Sequence, residues 1–278
     1  VDKTSKSYGL GDRYFWAWGL IDFGNGTFQG AAHGISLLWK NGLWPYETNK
    51  IYFIERINSI FHATKQITRP DGSLEEAFPN EGSYCVTALV AFDLLCTIQL
   101  LKNDITIEVG KEWQETIRPL IRYLDKEDET HAIISNHLAT SVAALVRWSN
   151  MTGEVSKEVK AKLLLNRILK NQSSEGWFNE YGGADPGYQS LCTYYLADVH
   201  INKPDWGLLT PLRLSIKFLL YFIHPDGSFG GTYGSRCTRF FYPSGFFMLF
   251  DLIPESQLII VKMLESISKK NVVTLSSI

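Results

Sequence analysis

The chain has 278 residues, 45% of them hydrophobic, with 27 basic residues against 29 acidic ones and a formal net charge of −2. That length supports one large domain with a substantial core. The balanced charge excludes the basic footprint of a nucleic-acid binder, and the longest apolar run, Cys85 to Leu101, is too short and too interrupted by Asp93 and Gln99 for a membrane span.

Taken in chain order, apolar periodicity of about 3.6 predicts ten helices: Phe28–Leu43, Glu47–Ile67, Glu81–Leu101, Thr106–Leu124, Ala132–Trp148, Val155–Leu169, Pro186–Val199, Leu208–Ile223, Ser235–Leu252 and Pro254–Ser268. Ser135 or Asn136 is the candidate cap of the fifth, and Asp185 followed by Pro186 marks the start of the seventh. Two kinds of helix alternate. One kind is amphipathic, as where Lys157, Glu158, Lys160 and Lys162 oppose Val155, Val159, Leu163 and Leu164; the other is rich in small and aromatic residues. Alternation of covered and half-exposed helices predicts an all-α fold, an (α/α) toroid of about five to six hairpins over residues 1–270. The β-branched run Val272–Leu275 lies in the tail 271–278, which reads either as the first strand of a further β domain or as a frayed end. Val1 to Ser7 is polar and carries no leader pattern, and a chain that begins with Val leaves a trimmed leader open. The cysteines, Cys85, Cys96, Cys192 and Cys237, lack CxxC spacing and read as free thiols, so they fix no compartment. Oligomeric state is equally open.

Glycine-rich, acidic, aromatic turns recur before the apolar helices: Asp71-Gly72-Ser73 through Phe78, Glu175-Gly176-Trp177 through Tyr188, and Asp226-Gly227-Ser228 through Arg236. A weaker relative spans Asp22 to Gly30. Repetition implies stacked helical hairpins whose turns gather on one face, where function is to be sought. Ser135-Asn136-His137 is the first candidate, because an amide can neutralise a carboxylate and an imidazole can exchange a proton near neutral pH; the plainer reading is a helix cap. The second turn offers Trp177, Glu180, Tyr181 and Tyr188 for stacking on sugars, hydrogen bonding to them or proton transfer, with Asp185 assigned mainly to capping. The third offers Arg236, Arg239 and Tyr242, the two arginines lying on one helix face and suited to an anion. Gln29 and His33, four apart on the first helix, form the last candidate pair. No zinc, Walker, dinucleotide or nucleophile-elbow motif is present, so neither a metal nor a cofactor is expected.

Ser135-Asn136-His137-Leu138 followed, one hairpin later, by Gln172 through Tyr181 and Asp185-Pro186-Gly187-Tyr188 resembles the helical domain of heparinase II/III-like polysaccharide lyases. The resemblance covers residues 131–200 best. It implies a toroid acting on a uronate-bearing, acidic polysaccharide by abstraction of the C5 proton, as a lyase or an epimerase. Asn136 would neutralise the uronate, His137 would be a candidate base, and Tyr181 or Tyr188 the acid. Gln172 through Trp177 is also similar to the Gln-Trp turn of terpenoid cyclases, although the acidic DxDD motif is absent. A glycan-binding or scaffold module without turnover is the alternative from another class.

Overall fold

A computed structural model describes residues 3–4, 8–11, 25–44, 47, 49–76, 81–229 and 242–269. These residues contain ten α-helices: α1 (Ala31–Lys40), α2 (Lys50–Gln66), α3 (Tyr84–Leu101), α4 (Ile107–Lys126), α5 (Ser135–Thr152), α6 (Lys157–Lys170), α7 (Pro186–Asn202), α8 (Leu209–Leu220), α9 (Ser244–Met248) and α10 (Pro254–Ser268). Strand structure among them is confined to a two-residue antiparallel pair, β1 (Leu74–Glu75) with β2 (Gly82–Ser83), and a few isolated bridges. The weak upstream turn at Asp22, Arg236, Arg239 and the tail 271–278 fall wholly or partly outside the described residues.

Two compact units are formed. Unit 1 comprises Val1–Asp128 with Arg147–Lys157, and unit 2 comprises Glu129–Val146 with Glu158–Ile278. In unit 1, α3 packs on α1 and α4. Its length and hydropathy would suffice for a membrane crossing, but 72% of it is buried inside the protein, the pattern of a core helix. Helix α4 buries Trp113, Ile117, Leu120, Ile121 and Leu124 along one face, the amphipathic kind expected. Trp113 stacks on Phe61 of α2 with ring centroids 4.4 Å apart. In unit 2, α7 is buried nearly all round and packs on α8 and α9, while α10 packs on α8 and α9.

Short polar side chains start several helices by accepting from amides of the first turn: Asn49 from Tyr52, Ser83 from Val86, Thr106 from Val109 and Asp185 from Tyr188. The expected boundaries shift where another interaction competes. The first helix opens as a 3₁₀ turn over Gly26–Gly30, and only Ser244–Met248 of the expected ninth helix is helical among the described residues.

The three repeated turns are copies of one structure. Ser73 N–H donates 2.9 Å to Asp71 Oδ1, and Ser228 N–H donates 2.9 Å to Asp226 Oδ1. Arg69, Ser173 and His224 N–H donate to the carbonyls of Ser73, Trp177 and Ser228. Gly72, Gly176 and Gly227 hold φ of 94°, 101° and 82°, and a Cβ on any of them would collide with a carbonyl of a helix in the same unit: Pro119 of α4, Leu214 of α8 or Lys262 of α10. Glycine is therefore required twice over, for a left-handed backbone and for close approach. The repeat seen in sequence is a docking device for helices, on which the second copy adds further groups.

Candidate functional site

In unit 2 the chain segment 133–135 runs antiparallel to 179–181. Ser135 N–H and Oγ–H donate to the Asn179 carbonyl at 3.1 and 2.8 Å, and Tyr181 N–H donates to the Ile133 carbonyl at 3.3 Å. This pairing brings the second glycine-rich turn against the start of α5. It also explains why α5 begins at Ser135 rather than at Ala132: the residues before it are committed to an extended pairing.

Glu180 then caps α5 from a distance of 44 residues in sequence. Its Oε1 accepts from the Asn136 backbone N–H at 2.8 Å and its Oε2 from the Asn136 side-chain amide at 2.7 Å. A carboxylate at a helix N-terminus is favoured by the exposed amides and the helix dipole. Burial nevertheless pushes the Glu180 carboxyl up to about 8, with the nearby charge of Asp185 adding and the bonds from Asn136 opposing. The carboxyl thus carries a proton over much of the neutral range. Glu180 also raises the thiol of buried Cys192, whose own burial is the larger cause. Asn136 is 3% exposed and its amide is engaged with Glu180, so in this conformation it braces the turn rather than presenting a donor to a ligand. Asp185 accepts from Tyr188 N–H at 3.0 Å, the capping role expected of it.

His137, the third residue of α5, is held by a residue that the sequence did not single out. Its Nδ1 lies 2.7 Å from Glu129 Oε2, and the Glu129 side chain is 1% exposed. The other oxygen of Glu129 takes the His131 backbone N–H at 3.1 Å and the His131 Nδ1 at 2.9 Å. Burial alone would raise the Glu129 carboxyl, but the bonds from His137 and from the His131 amide and ring, with the charge of His137, outweigh it and bring it down to about 2. An Nδ1–H donated to a carboxylate fixes the tautomer in which Nε2 holds the lone pair, the arrangement of a proton acceptor with its orienting group. Glu129 stands eight residues before His137 in a loop with no helical or strand period, so no local pattern marked it as the partner.

Tyr181 and Tyr188 stand together, their rings 6.3 Å apart. Among the described residues Tyr181 is the one non-glycine residue at positive φ, 56°, and the residue is 56% exposed. A bulky residue in the left-handed region costs about 1 kcal/mol or more, and such strain concentrates where a side chain must be aimed. Tyr242 joins the same end of α7 through its N–H, which donates to Ser190 Oγ at 3.0 Å. Trp177 lies on the same turn, its indole N–H donating to Glu175 at 3.0 Å.

The remaining candidates lie in unit 1. Gln29 is fully buried, its amide donating to the carbonyls of Gly9 and Ile60 and to Thr64 Oγ1 and its oxygen accepting from Gly11 N–H. Its polar atoms are spent on framework bonds, which removes it from contact with a ligand. His33 Nδ1 lies 3.0 Å from Asp93 Oδ1, and both side chains are partly exposed.

No protein-family model matches the sequence, and no curated protein matches it. The structure is similar to the crystal structure of a family 76 glycoside hydrolase from a bovine Bacteroides thetaiotaomicron strain, with a TM-score of 0.64 and 11% identity over 91% of this chain and 62% of that one. It is also similar to a polysaccharide lyase, with a TM-score of 0.53 and 13% identity over 94% of this chain and 78% of that one. The chain thus spans less than two thirds of the solved hydrolase chain. At such identities the likeness concerns the fold: all-α, of the α/α-toroid class, as the alternation of helices implied.

Proposed function

We propose that the chain acts on a uronate-bearing polysaccharide by abstracting the C5 proton, as a lyase or an epimerase. The observation that carries the proposal is the Glu129–His137 pair at 2.7 Å, which sits at the head of α5 beside the turn bearing Tyr181, whose ring lies 6.3 Å from that of Tyr188 in α7. A glycoside hydrolase and a polysaccharide lyase as structural neighbours support a glycan as the substrate.

In this reading His137 Nε2 takes the C5 proton, which the adjacent uronate carboxylate renders acidic once its charge is met. The electron pair left on C5 forms the C4–C5 double bond, the C4–O bond breaks, and the phenol of Tyr181 or Tyr188 protonates the departing oxygen. In the epimerase variant the bond to oxygen is kept and a tyrosine returns a proton to the opposite face of C5. Arg236 and Arg239 would meet the carboxylate charge. Asn136, assigned that task from its residue type, instead acts by holding Glu180 and the turn that carries Tyr181. Trp177 and Tyr242 would border the sugar.

Incubation with a panel of glucuronate, galacturonate and mannuronate polymers, following ultraviolet absorbance of the unsaturated product and solvent deuterium at C5, tests the proposal. Turnover that falls by about 10²-fold or more in His137→Gln supports it; neither signal on any polymer overturns it. The exposed, strained Tyr181 favours one second reading, a module that binds glycan without turnover. Binding without chemistry in the wild type, surviving Asn136→Ala together with Tyr181→Phe, would establish that reading instead.

A further inference from the structure

Unit 1 carries an imidazole held in the same manner as His137. His33 is the third residue of α1, as His137 is of α5. In each case Nδ1 meets a carboxylate, Asp93 Oδ1 at 3.0 Å or Glu129 Oε2 at 2.7 Å, and the two imidazoles are 17% and 16% exposed. Among the described residues neither Nε2 has a hydrogen-bond partner, so each ring turns one committed and one uncommitted nitrogen to its surroundings.

The neighbourhood of His33 is more than a partner for a stray carboxylate. Asp93 is the one charged residue of the largely apolar α3, and its side chain keeps 27% exposure. Gly30 makes room for it, since a Cβ there would overlap Asp93 Oδ2. The Arg147 guanidinium packs over the Phe92 ring at 5.2 Å and donates to Gln99 Oε1 at 2.6 Å, while the edge of His33 meets the same ring at 6.4 Å. Burial raises the Asp93 carboxyl, and His33 and Arg147 oppose it. An imidazole that holds a carboxylate and a guanidinium thus adjoin one aromatic ring, and these are kinds of group that hydrogen-bond sugar hydroxyls.

We infer that His33 and Asp93 form a second saccharide-contacting subsite within unit 1, bordered by the Phe92 ring. The ligand is a sugar unit of the uronate-bearing glycan proposed above, engaged through its hydroxyls, so the inference rests on that reading. Asp93 accepts from one hydroxyl and His33 Nε2 bonds to another.

The test is a titration of the full chain with oligogalacturonate and oligoglucuronate fragments, following the ring Cε1–H signals of its six histidines by NMR. The signals of His33 and His137 are assigned with His33→Gln and His137→Gln. Saturable movement of both signals is expected, with affinity about tenfold weaker in His33→Gln, the loss of one good hydrogen bond. A moving His137 beside an unmoved His33 overturns the subsite and leaves the catalytic proposal standing. A moving His33 beside an unmoved His137 keeps the subsite and overturns the catalytic assignment. Neither moving overturns both. Should a substituted chain fold poorly, its signal is assigned from triple-resonance spectra of the wild-type chain, and the wild-type titration still decides among these outcomes.

Discussion

Replacing Glu129 by Gln is the perturbation with the clearest consequences. The amide keeps the shape of the side chain but turns an N–H toward one of two histidines that now share a carboxylate. The carboxyl sits at about 2 in the folded protein against 4.5 in a solvated chain. That difference corresponds to about 3 kcal/mol, reduced to about 1–3 kcal/mol by the solvent that reaches the pair through exposed His131. A folded-state value below the unfolded one means that the stabilisation is complete above pH 4.5 and is lost as the pH falls to about 2. Urea unfolding of both proteins at about pH 7 and about pH 2.5 therefore shows Glu129→Gln less stable by about 1–3 kcal/mol at the higher pH and by roughly a quarter of that at the lower. Under the proposed reaction, kcat falls as well, by about 10²-fold or more, because His137 loses the group that fixes its tautomer. Equal stability at both pH values would refute the clamp, and unchanged turnover in a folded, active protein would refute its part in chemistry.

Glu180 gives the opposite pH dependence. Its folded-state value of about 8 lies above 4.5, so the stability it contributes is complete below pH 4.5 and declines as the pH rises to about 8, by at most about 1.4 kcal/mol per pH unit; thermal midpoints of Glu180→Gln lack this decline, and an identical decline in both proteins would contradict the assignment. Tyr181→Asn relieves the positive φ and raises stability by about 0.5–1 kcal/mol in chemical denaturation while weakening glycan binding; a loss of stability would show that the ring packs rather than strains. Gln29→Ala destabilises unit 1 by about 2–4 kcal/mol, since it strands several buried partners. Per folded molecule it leaves glycan binding unchanged, and a specific loss of binding would return Gln29 to the ligand.

What was legible in the sequence follows from how far its causes reach along the chain. Asp185-Pro186 announced the start of α7 because capping acts within one turn, and Asp71-Gly72-Ser73 and Asp226-Gly227-Ser228 announced identical turns for the same reason. The buried character of α3 and the one-sided character of α4 were written in their periodicity. The cap of α5 was not, because the carboxylate that fills it comes from 44 residues away and takes over from Ser135 and Asn136. Asn136 and His137 were singled out together, yet the fold gives them separate partners, Glu180 for one and Glu129 for the other. Glu129 went unnoticed and Asp93 was read only as a break in an apolar run, since no local period marks a carboxylate as the partner of a distant imidazole.

The most direct test of the central claim is the fate of the C5 proton. In deuterated water with uronate polymers, the wild-type chain is predicted to yield an unsaturated product or deuterium at C5, and His137→Gln to yield neither at a comparable rate. Wild-type protein that binds these polymers and leaves every C5–H in place would contradict it.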